Sequence, residues 1–395
     1  MRKLFIILAA TLLGLAANAQ EVTVAQVPQL TDQAMVSVLT CGPGNEFYTT
    51  FGHSAIHICD TSVGVDVVYN YGTFNFGVKN FYLKFAQGRL DYMLSRGTFS
   101  NFLLEYAFEG RAVWEQELQL TTQEKQNLFL LLENNYLPDY RYYKYDFFRD
   151  NCATRVRDMV CSALDHRTLF VETTSPGNKS YRQLLYDPTE VNLLWWRFGI
   201  DLVLGQRCDK QCSNLEYMFS PIEMMHAFDT ARLSDSHARL AKPPVQLLNE
   251  TRQPLNPSFP PIIVFWTLCV VVVALTIIGW KKGWKLRWLD ALLFWVVALI
   301  SLLVLFLWFG SDHYCTKLNW NILWASPLFL YFGVRLRKSH RVVVIVQIGL
   351  LALLGLVALF GIQHFNSAVL PIAVTLFVRL LDKLRLPSNP QNPKQ

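Results

Sequence analysis

The sequence predicts an α+β domain outside the membrane, followed by an all-α transmembrane domain of about five helices. Three observations predict this arrangement: an N-terminal stretch typical of secretory signals, a middle section with strand and helix patterns, and a C-terminal third built of long apolar runs. Hydrophobic residues make up 52% of the 395 residues, and charged residues make up 17%. This composition excludes a disordered or fibrous chain, and a wholly soluble protein is not expected.

Residues 1–19 have the pattern of a secretory signal peptide. Arg2 and Lys3 precede the apolar stretch Leu4–Leu15, and Ala17-Asn18-Ala19 provides the small residues of a cleavage site. An uncleaved anchor helix is the weaker interpretation, because the apolar stretch is short for a membrane span. We therefore expect the section that follows, residues 20–260, to be exported.

Residues 20–260 alternate between strand and helix patterns. Val36–Cys41, Ala55–Cys59 and Val65–Tyr71 are strand-like. A capping box at Thr121-Thr122-Gln123-Glu124 predicts the start of a helix. A second helix is predicted to begin at Cys152, because apolar residues recur after it at helical spacing. One mixed α+β domain is the expected result.

Residues 261–385 contain five apolar runs and form the predicted transmembrane domain. Three runs are long enough to span a bilayer, whereas the third and fifth are short. The runs are Ile262–Trp280, Trp288–Phe309, Trp320–Val334, Val342–Gly361 and Ser367–Leu381.

Charge is distributed unevenly along the chain. Residues 261–395 carry 13 Lys and Arg against 3 Asp and Glu, a balance of +10, so the other residues sum to −4 within the net charge of +6. The basic residues are concentrated after the first, third and fifth runs, and the positive-inside rule places those segments in the cytoplasm. The rule predicts an external domain at residues 20–260 and a cytoplasmic tail at residues 386–395. Because membrane topology explains the basic excess, no nucleic-acid partner is expected.

Two motifs of the external domain have residue types suited to catalysis. The first is Phe51-Gly52-His53-Ser54-Ala55-Ile56-His57, in which a glycine before His53 allows another backbone or a substrate to approach closely. The second is Asp150-Asn151-Cys152-Ala153-Thr154-Arg155, in which Asp150 or Asn151 caps the helix that Cys152 begins. The free N–H groups and the dipole at a helix start favour thiolate over thiol. Together the motifs predict a Cys/His nucleophile pair.

The alternative interpretation of each residue is structural. A cysteine at a helix start is often a small buried residue, and a histidine on a strand is often part of the core. The conjunction of both motifs favours the catalytic interpretation for Cys152 and His53. His57 and Asn70 are equal candidates for the third residue that orients His53. Arg155 is a candidate for holding a lipid phosphate, with pairing to Asp150 or Asp158 as the alternative.

Several stretches carry a resemblance to a known family. They are Cys41-Gly42-Pro43-Gly44, Phe51-Gly52-His53-Ser54-Ala55, Tyr69-Asn70-Tyr71-Gly72-Thr73-Phe74 and Asp150-Asn151-Cys152-Ala153-Thr154-Arg155. A histidine on an early strand, followed by Asn-Cys at a helix start, resembles the permuted papain-like fold of NlpC/P60 relatives. More closely, the stretches resemble the Lnb family of bacterial lipoprotein N-acyltransferases, and the likeness extends into Asp312–Leu328.

The resemblance implies an activity, a location and partners. It implies transfer of an acyl chain from a phospholipid to the α-amino group of a lipoprotein's diacylglyceryl-cysteine, through a thioester on Cys152. The expected location is the bacterial inner membrane, with residues 20–260 in the periplasm. Alternatives are a membrane-bound thiol hydrolase, either a phospholipase or a cell-wall amidase or peptidase, and a non-enzymatic scaffold. No metal or organic cofactor is indicated.

Polar residues on the external side of the membrane domain are candidates for substrate contact. Asp312 and His313 follow the second apolar run, while Asn319 and Asn321 open the third. Polar groups near hydrocarbon indicate function by default. Solvation at the interface is an equal alternative for Asp312, and lining of a lipid groove is the interpretation for Asn319 and Asn321.

Overall fold

The computed structural model describes residues 27–164, 169–170, 179–189, 193–253, 256–336 and 340–385. The predicted signal peptide and the predicted cytoplasmic tail lie outside the described residues. Seven strands form one sheet in the order β6-β4-β3-β2-β1-β5-β9, and every neighbouring pair is antiparallel. The strands of this sheet are β1 (Met35–Cys41), β2 (His53–Asp60), β3 (Val65–Thr73), β4 (Asp91–Gly97), β5 (Val113–Glu117), β6 (Tyr142–Lys144) and β9 (Val245–Leu248). The strands β7 (Leu169–Phe170) and β8 (Arg232–Leu233) form a separate antiparallel pair.

Helices cover both faces of the sheet. The helices of the external domain are α1 (Phe81–Ala86), α2 (Phe99–Phe108), α3 (Thr122–Tyr136), α4 (Cys152–Ala163), α5 (Tyr181–Tyr186), α6 (Leu194–Val203), α7 (Asn214–Tyr217) and α8 (Pro221–Thr230). The predicted strands and both predicted helices are present, with ends that differ by a few residues. Thr121 caps α3 through the reciprocal capping box that the sequence indicates.

The alternation of side chains along β2 assigns the two faces. Ile56 and Ile58 point into the core shared with α3 and α4. Ala55 points into a smaller core on the other face, where it meets Phe102 and Tyr106 of α2. His53, two residues before Ala55, belongs to the α2 face, whereas Ser54 belongs to the face of α4.

The membrane part is helical. Its helices are α9 (Pro261–Lys282), α10 (Arg287–Phe309), α11 (Leu328–Val334), α12 (Arg341–Leu359) and α13 (Val369–Arg385). Within the described residues, α9, α10 and α12 are long and apolar enough to cross a bilayer. The third run differs from the expected single helix: it divides into a 3₁₀ turn at Trp320–Leu323 and α11. Ser326-Pro327 lies between them, and proline lacks the N–H that a continuous helix needs.

Charges inside the helical part are paired. Asp290 of α10 is buried and accepts from Arg379 Nε at 2.8 Å and from Lys383 Nζ at 2.8 Å, both of α13. Arg379 also donates to Thr276 of α9 at 2.9 Å. Since an unpaired buried charge costs several kcal/mol, these contacts determine how the three helices pack. Two of the basic residues counted as cytoplasmic therefore have a structural role.

The external domain and the membrane part are joined by buried polar contacts. Arg182 of α5 is buried and forms ion pairs with Asp201 of α6 at 3.0 Å and with Asp209 at 2.7 Å. Asp201 in turn accepts from Asn366, which precedes α13, at 2.9 Å. The catalytic-type residues of the external domain are thus held at a defined position relative to the membrane helices.

Candidate active site

Cys152 is the first residue of α4, and Asn151 positions it. The Asn151 side chain accepts from the backbone N–H of Thr154 at 2.9 Å, and the Thr154 hydroxyl accepts from the Asn151 N–H at 2.8 Å. Asn151 Nδ2 also donates to the carbonyls of Phe147 and Phe219, each at 2.8 Å. Of the two capping candidates, Asn151 is therefore the cap, and it also attaches the helix start to the loop before α8.

Backbone N–H groups surround the Cys152 sulfur. The N–H groups of Ser54, Cys152 and Ala153 donate to it and lower its pKa, but burial raises the pKa more, and the net shift is upward. The expected preference for thiolate at the helix start is therefore reversed, because the side chain is 7% exposed and the charged form loses solvation. The resting group is a thiol that already has donors for a negative charge.

Two glycines near the site have backbone conformations that other residues rarely adopt. Gly52 has φ +82°, and a Cβ there would lie 2.7 Å from the Cys41 carbonyl oxygen. This confirms the close backbone approach predicted from the glycine before His53. Gly72 has φ +90° and lies where the register of β3 with β4 shifts, and a Cβ there would be 3.7 Å from Cys152 Cβ. The irregularity bends β3 where Cys152 meets the sheet.

His53 is oriented by Asn70. His53 Nε2 lies 3.2 Å from Asn70 Oδ1, on the neighbouring strand β3. With this oxygen as acceptor, Nε2 carries the proton, and Nδ1 keeps its lone pair. Burial and then the charge of Arg111 lower the His53 pKa to about 4. The imidazole is therefore neutral at physiological pH and suited to accept a proton.

The sulfur and His53 meet at the end of β2. The Ser54 N–H that donates to Cys152 belongs to the peptide bond joining Ser54 to His53. The sulfur therefore lies beside the His53 backbone, although α4 and the His53 ring are on opposite faces of the sheet. The structure thus pairs His53 with Asn70 and places the Cys152 sulfur next to the peptide bond between His53 and Ser54.

His57 belongs to a separate group. Its Nδ1 lies 2.9 Å from Glu115 Oε1, its Nε2 lies 2.9 Å from Asp66 Oδ1, and its ring stacks on Phe99 at 4.1 Å. Four residues along a strand correspond to about 13 Å, which separates His57 from His53. Both ring nitrogens are bonded to carboxylates, so the structure does not place His57 as the residue that orients His53.

The same group has the composition of a metal-binding cluster. Ligand atoms of His57, Cys59 and Asp66 lie within 4.8 Å of one another. Both His57 nitrogens already have carboxylate partners, so these contacts satisfy the ring without an ion. The cluster is also on the far part of β2 from Cys152, and we assign it no part in the chemistry.

Arg111 is a site residue that the sequence did not indicate. It is buried, its guanidinium lies over the Tyr106 ring at 4.7 Å, and its Nε donates to the Gly42 carbonyl at 2.8 Å. Burial has the larger effect on both site residues: it lowers the pKa of His53 and raises the pKa of Cys152. The charge of Arg111 lowers both pKa values. Its Nη2 has no hydrogen-bond partner among the described residues. Arg111 stands alone in a Glu-Gly-Arg turn, and no sequence pattern there predicts that its charge acts on His53 and Cys152.

Two hydroxyl groups beneath Cys152 were also not predicted. Thr40 and Ser54 are directly paired across β1 and β2 and are fully buried. Within the described chain, neither side-chain oxygen has a hydrogen-bond partner. Such groups are uncommon in a folded core and are concentrated where a substrate or water binds.

A pocket opens beside Cys152. Its volume is about 200 Å³, and its walls are mainly apolar, with five aromatic rings and the acidic residues Asp187 and Glu223 among them. They include Tyr48, Phe51, Tyr145, Phe147, Cys152 and Phe219. An apolar pocket with a nucleophile and a few N–H donors is suited to an ester or amide that carries a hydrocarbon chain.

The predicted lipid-contacting residues lie outside this pocket. Arg155 forms a two-pronged ion pair with Asp150, at 2.5 and 2.8 Å, and lies over the Tyr143 ring at 3.8 Å. The structure thus shows Arg155 paired with Asp150, which was the alternative to holding a lipid phosphate. Asp312 pairs with Arg89 at 2.6 Å, and His313 Nε2 lies 3.0 Å from the Phe85 carbonyl.

Asn319 and Asn321 are buried and hydrogen-bonded within the protein. Asn319 donates to the Leu202 carbonyl at 2.9 Å, and Asn321 donates to the Asp201 carbonyl at 2.9 Å. Asn321 also accepts from the Trp324 indole at 2.8 Å. They tie the 3₁₀ turn to the end of α6 instead of facing lipid, since their amide groups satisfy backbone carbonyls there.

These features define a class of protein: one with membrane-spanning helices and an α+β domain that holds a buried cysteine beside a histidine–asparagine pair. Two family models match the chain, the Lnb N-terminal periplasmic domain over residues 28–185 and the Lnb transmembrane domain over residues 253–388. Together they cover about three quarters of the sequence, and the chain belongs to the Lnb family. No curated protein and no solved structure matches it. Membership indicates a lipoprotein-modifying membrane enzyme with a periplasmic part.

Proposed function

We propose that this protein is a lipoprotein N-acyltransferase that uses Cys152 as its nucleophile. The acyl donor is a phospholipid, and the acceptor is the α-amino group of a lipoprotein's N-terminal diacylglyceryl-cysteine. The observation that carries the proposal is the buried Cys152 sulfur, which has three backbone N–H donors, lines an apolar pocket and lies next to the peptide bond of His53, the histidine that Asn70 orients.

The first half-reaction transfers the acyl chain to sulfur. In this proposal the His53 ring reaches the sulfur around the end of β2, and its Nδ1 accepts the thiol proton as sulfur attacks the ester carbonyl. The N–H groups of Cys152 and Ala153 stabilise the oxyanion. The C–O bond to glycerol breaks, and His53 returns the proton to the leaving oxygen. The products are a thioester on Cys152 and a lysophospholipid. The Cys152 thiol and the His53 imidazole are both neutral at rest. The proton therefore moves from sulfur to His53 during the attack on the ester, and no thiolate–imidazolium pair forms before the attack.

The second half-reaction regenerates the thiol. The neutral amine attacks the thioester, His53 takes one of its protons, and the C–S bond breaks to leave an amide. The proton then moves from His53 to the sulfur, which restores the resting site. A pocket with mainly apolar walls limits water and favours amine attack over hydrolysis.

We propose the membrane topology and domain limits that the sequence predicts. Residues 1–19 are a signal peptide, residues 20–260 are periplasmic, residues 261–385 cross the inner membrane, and residues 386–395 are cytoplasmic. The change to membrane-length helices at Pro261 supports the second boundary. A helix-start cysteine beside a strand histidine also supports kinship with the permuted papain-like fold.

Mass spectrometry of a lipoprotein's N-terminal lipopeptide tests the proposal. A strain lacking the protein is complemented with wild type, with Cys152→Ala, or with Cys161→Ala, which alters an exposed cysteine on the same helix. Wild type and Cys161→Ala should restore the amide-linked third acyl chain, and Cys152→Ala should not. Restoration by Cys152→Ala at equal expression would overturn the proposal.

Purified protein separates transfer from hydrolysis. A phospholipid with a labelled acyl chain is offered with and without a diacylglyceryl-cysteine peptide. The proposal expects label on the peptide amine and a Cys152 thioester when the peptide is absent. Free fatty acid formed at the same rate with and without peptide would indicate a phospholipase. Cleavage of cell-wall peptides with no lipid product would indicate the amidase or peptidase alternative.

A further inference from the structure

Helix α1 lies at the membrane boundary. Its last turn is bonded to the residues that directly follow α10, one of the membrane-length helices. The Asp312 N–H donates to the Gln87 carbonyl at 2.8 Å, and His313 Nε2 lies 3.0 Å from the Phe85 carbonyl. Since α10 ends at Phe309, these contacts place α1 within a few residues of a bilayer surface.

The contact between α1 and this loop is close and specific. Gly88 has φ +67°, and a Cβ there would lie 3.2 Å from the His313 backbone nitrogen. Arg89 pairs with Asp312 at 2.6 Å on the outside of the contact. These contacts explain the polar residues at 312 and 313, which position α1 against the membrane helices.

The surface that α1 presents there is apolar. α1 buries none of its side chains completely, and Tyr82 is 81% exposed, Leu83 51% and Phe85 44%. Phe76, in the preceding loop, is 63% exposed. We call these four residues, three of which are aromatic, the aromatic platform. Lys79 and Lys84 flank it, and aromatic residues with lysines are typical of segments at the membrane interface.

The aromatic platform continues to the cysteine pocket through ring contacts. Phe76 contacts Phe74 at 4.9 Å, and Phe74 contacts Tyr48 at 6.3 Å between ring centroids. Phe74 also contacts Tyr92 at 5.3 Å, and Tyr92 stacks on Tyr145 at 4.3 Å. Both Tyr48 and Tyr145 line the pocket with Cys152.

We infer that the aromatic platform dips into the outer leaflet of the bilayer and that the rings behind it guide a lipid acyl chain to Cys152. The occupant is a membrane lipid, since the platform adjoins the end of a membrane-length helix and continues into the pocket of the nucleophile. The guiding step rests on the proposed function, whereas contact between the platform and lipid does not.

Photocrosslinking of the full chain in lipid nanodiscs tests the contact. p-Benzoylphenylalanine replaces Tyr82 in one protein and Val63 in another, with phosphatidylethanolamine and phosphatidylglycerol as the lipids. Val63 is exposed but lies in the turn at the opposite end of β2, about 25 Å along the sheet. We expect about tenfold more lipid adduct at position 82, because only that position contacts the bilayer. Equal adducts at both positions would overturn the inference.

A second measurement tests guidance of the acyl chain. Tyr82→Ser and Phe76→Ser together should slow Cys152 acylation by long-chain phospholipid by about tenfold, because apolar contact with the chain is lost. Acylation by a water-soluble short-chain thioester should not change, and that reaction also shows that the variant is folded. Val63→Ser is the matched control. An equal loss with both donors, or no loss with phospholipid, would overturn guidance.

The two proposals fail in different ways. Lipid adducts at position 82 without any Cys152 acylation would leave the membrane contact standing and contradict the proposed function. Acyl transfer with equal adducts at positions 82 and 63 would leave the proposed function standing and contradict the platform.

Discussion

His53 Nε2 and Asn70 Oδ1 lie 3.2 Å apart on adjacent strands, which makes Asn70 the residue that orients the histidine. The contact assigns the proton to Nε2 and leaves Nδ1 as the base. His57, equally plausible from its spacing, has both nitrogens bonded to carboxylates.

Removal of the Asn70 amide should impair chemistry more than folding. Asn70→Ala should lower the rate of Cys152 acylation by about 10²-fold, because a base that is not held in position loses most of its advantage. Intact-protein mass spectrometry measures the acylation rate for the folded fraction. Asn70→Asp, which keeps an acceptor oxygen, should recover part of the rate.

His57→Gln is the control for this prediction. It alters a histidine on the same strand that does not contact His53, so stability should fall while the rate per folded molecule stays near wild type. If His57→Gln slowed acylation as much as Asn70→Ala, Asn70 would have no special part in positioning His53.

Stability should depend on pH through His53. Its folded-state pKa of about 4 lies below the ordinary value of 6.5 because burial disfavours the imidazolium. Between these two values the unfolded chain binds more protons, so the free energy of unfolding decreases as pH falls from 6.5 to 4. The contribution is fully present above pH 6.5.

Thermal unfolding of wild type and His53→Gln at pH 7.5 and pH 4.5 measures this effect. Wild type should lose more of its unfolding temperature on acidification than the variant, which has no imidazole to protonate at this position. An equal loss in both proteins would show that other groups account for the acid sensitivity.

Arg111 should control the reactivity of Cys152. Its charge lowers the pKa of the thiol and of the His53 imidazole, so Arg111→Met should raise both. Alkylation of Cys152 by iodoacetamide should become slower at neutral pH, since less thiolate forms. Burial still lowers the His53 pKa, so the imidazole should not reach its ordinary value.

The pH dependence of alkylation, followed on the Cys152 peptide, measures the change. Arg157→Met is the matched control, because Arg157 lies on α4 but pairs with Asp158. A rate unchanged by Arg111→Met would contradict the electrostatic role, provided that the variant unfolds at the wild-type temperature.

Gly52 should be intolerant of any side chain. Gly52→Ala places a Cβ 2.7 Å from the Cys41 carbonyl oxygen at a φ of +82°. It should lower the free energy of unfolding by about 2 to 4 kcal/mol, combining backbone strain with the clash. Displacement of β2 should also slow Cys152 acylation.

Gly64→Ala separates the two causes. Gly64 has φ +73°, but a Cβ there would have no neighbouring atom within 4 Å, so only backbone strain of about 1 kcal/mol is expected. Denaturant unfolding measures both variants. Equal losses would show that the Cys41 carbonyl does not constrain this position.

Features that depend on neighbours along the chain could be predicted from the sequence. Apolar runs long enough to span a bilayer predict α9, α10 and α12, and the Asn-Cys pair predicts the capped start of α4. Hydrophobic periodicity and capping act over a few residues, which is why these elements could be located before their packing was known.

Which groups meet, and how each one ionises, depends on the folded chain. Asn70 reaches His53 because the pairing of β2 with β3 sets it opposite Ala55, and Arg111 reaches the site from a turn after α2. The Cys152 pKa is raised because burial exceeds the effect of the helix N–H groups. Asn319 is a structural residue because the end of α6 offers it a carbonyl. Burial and contacts between distant segments have no local pattern, so they exist only once the chain has folded.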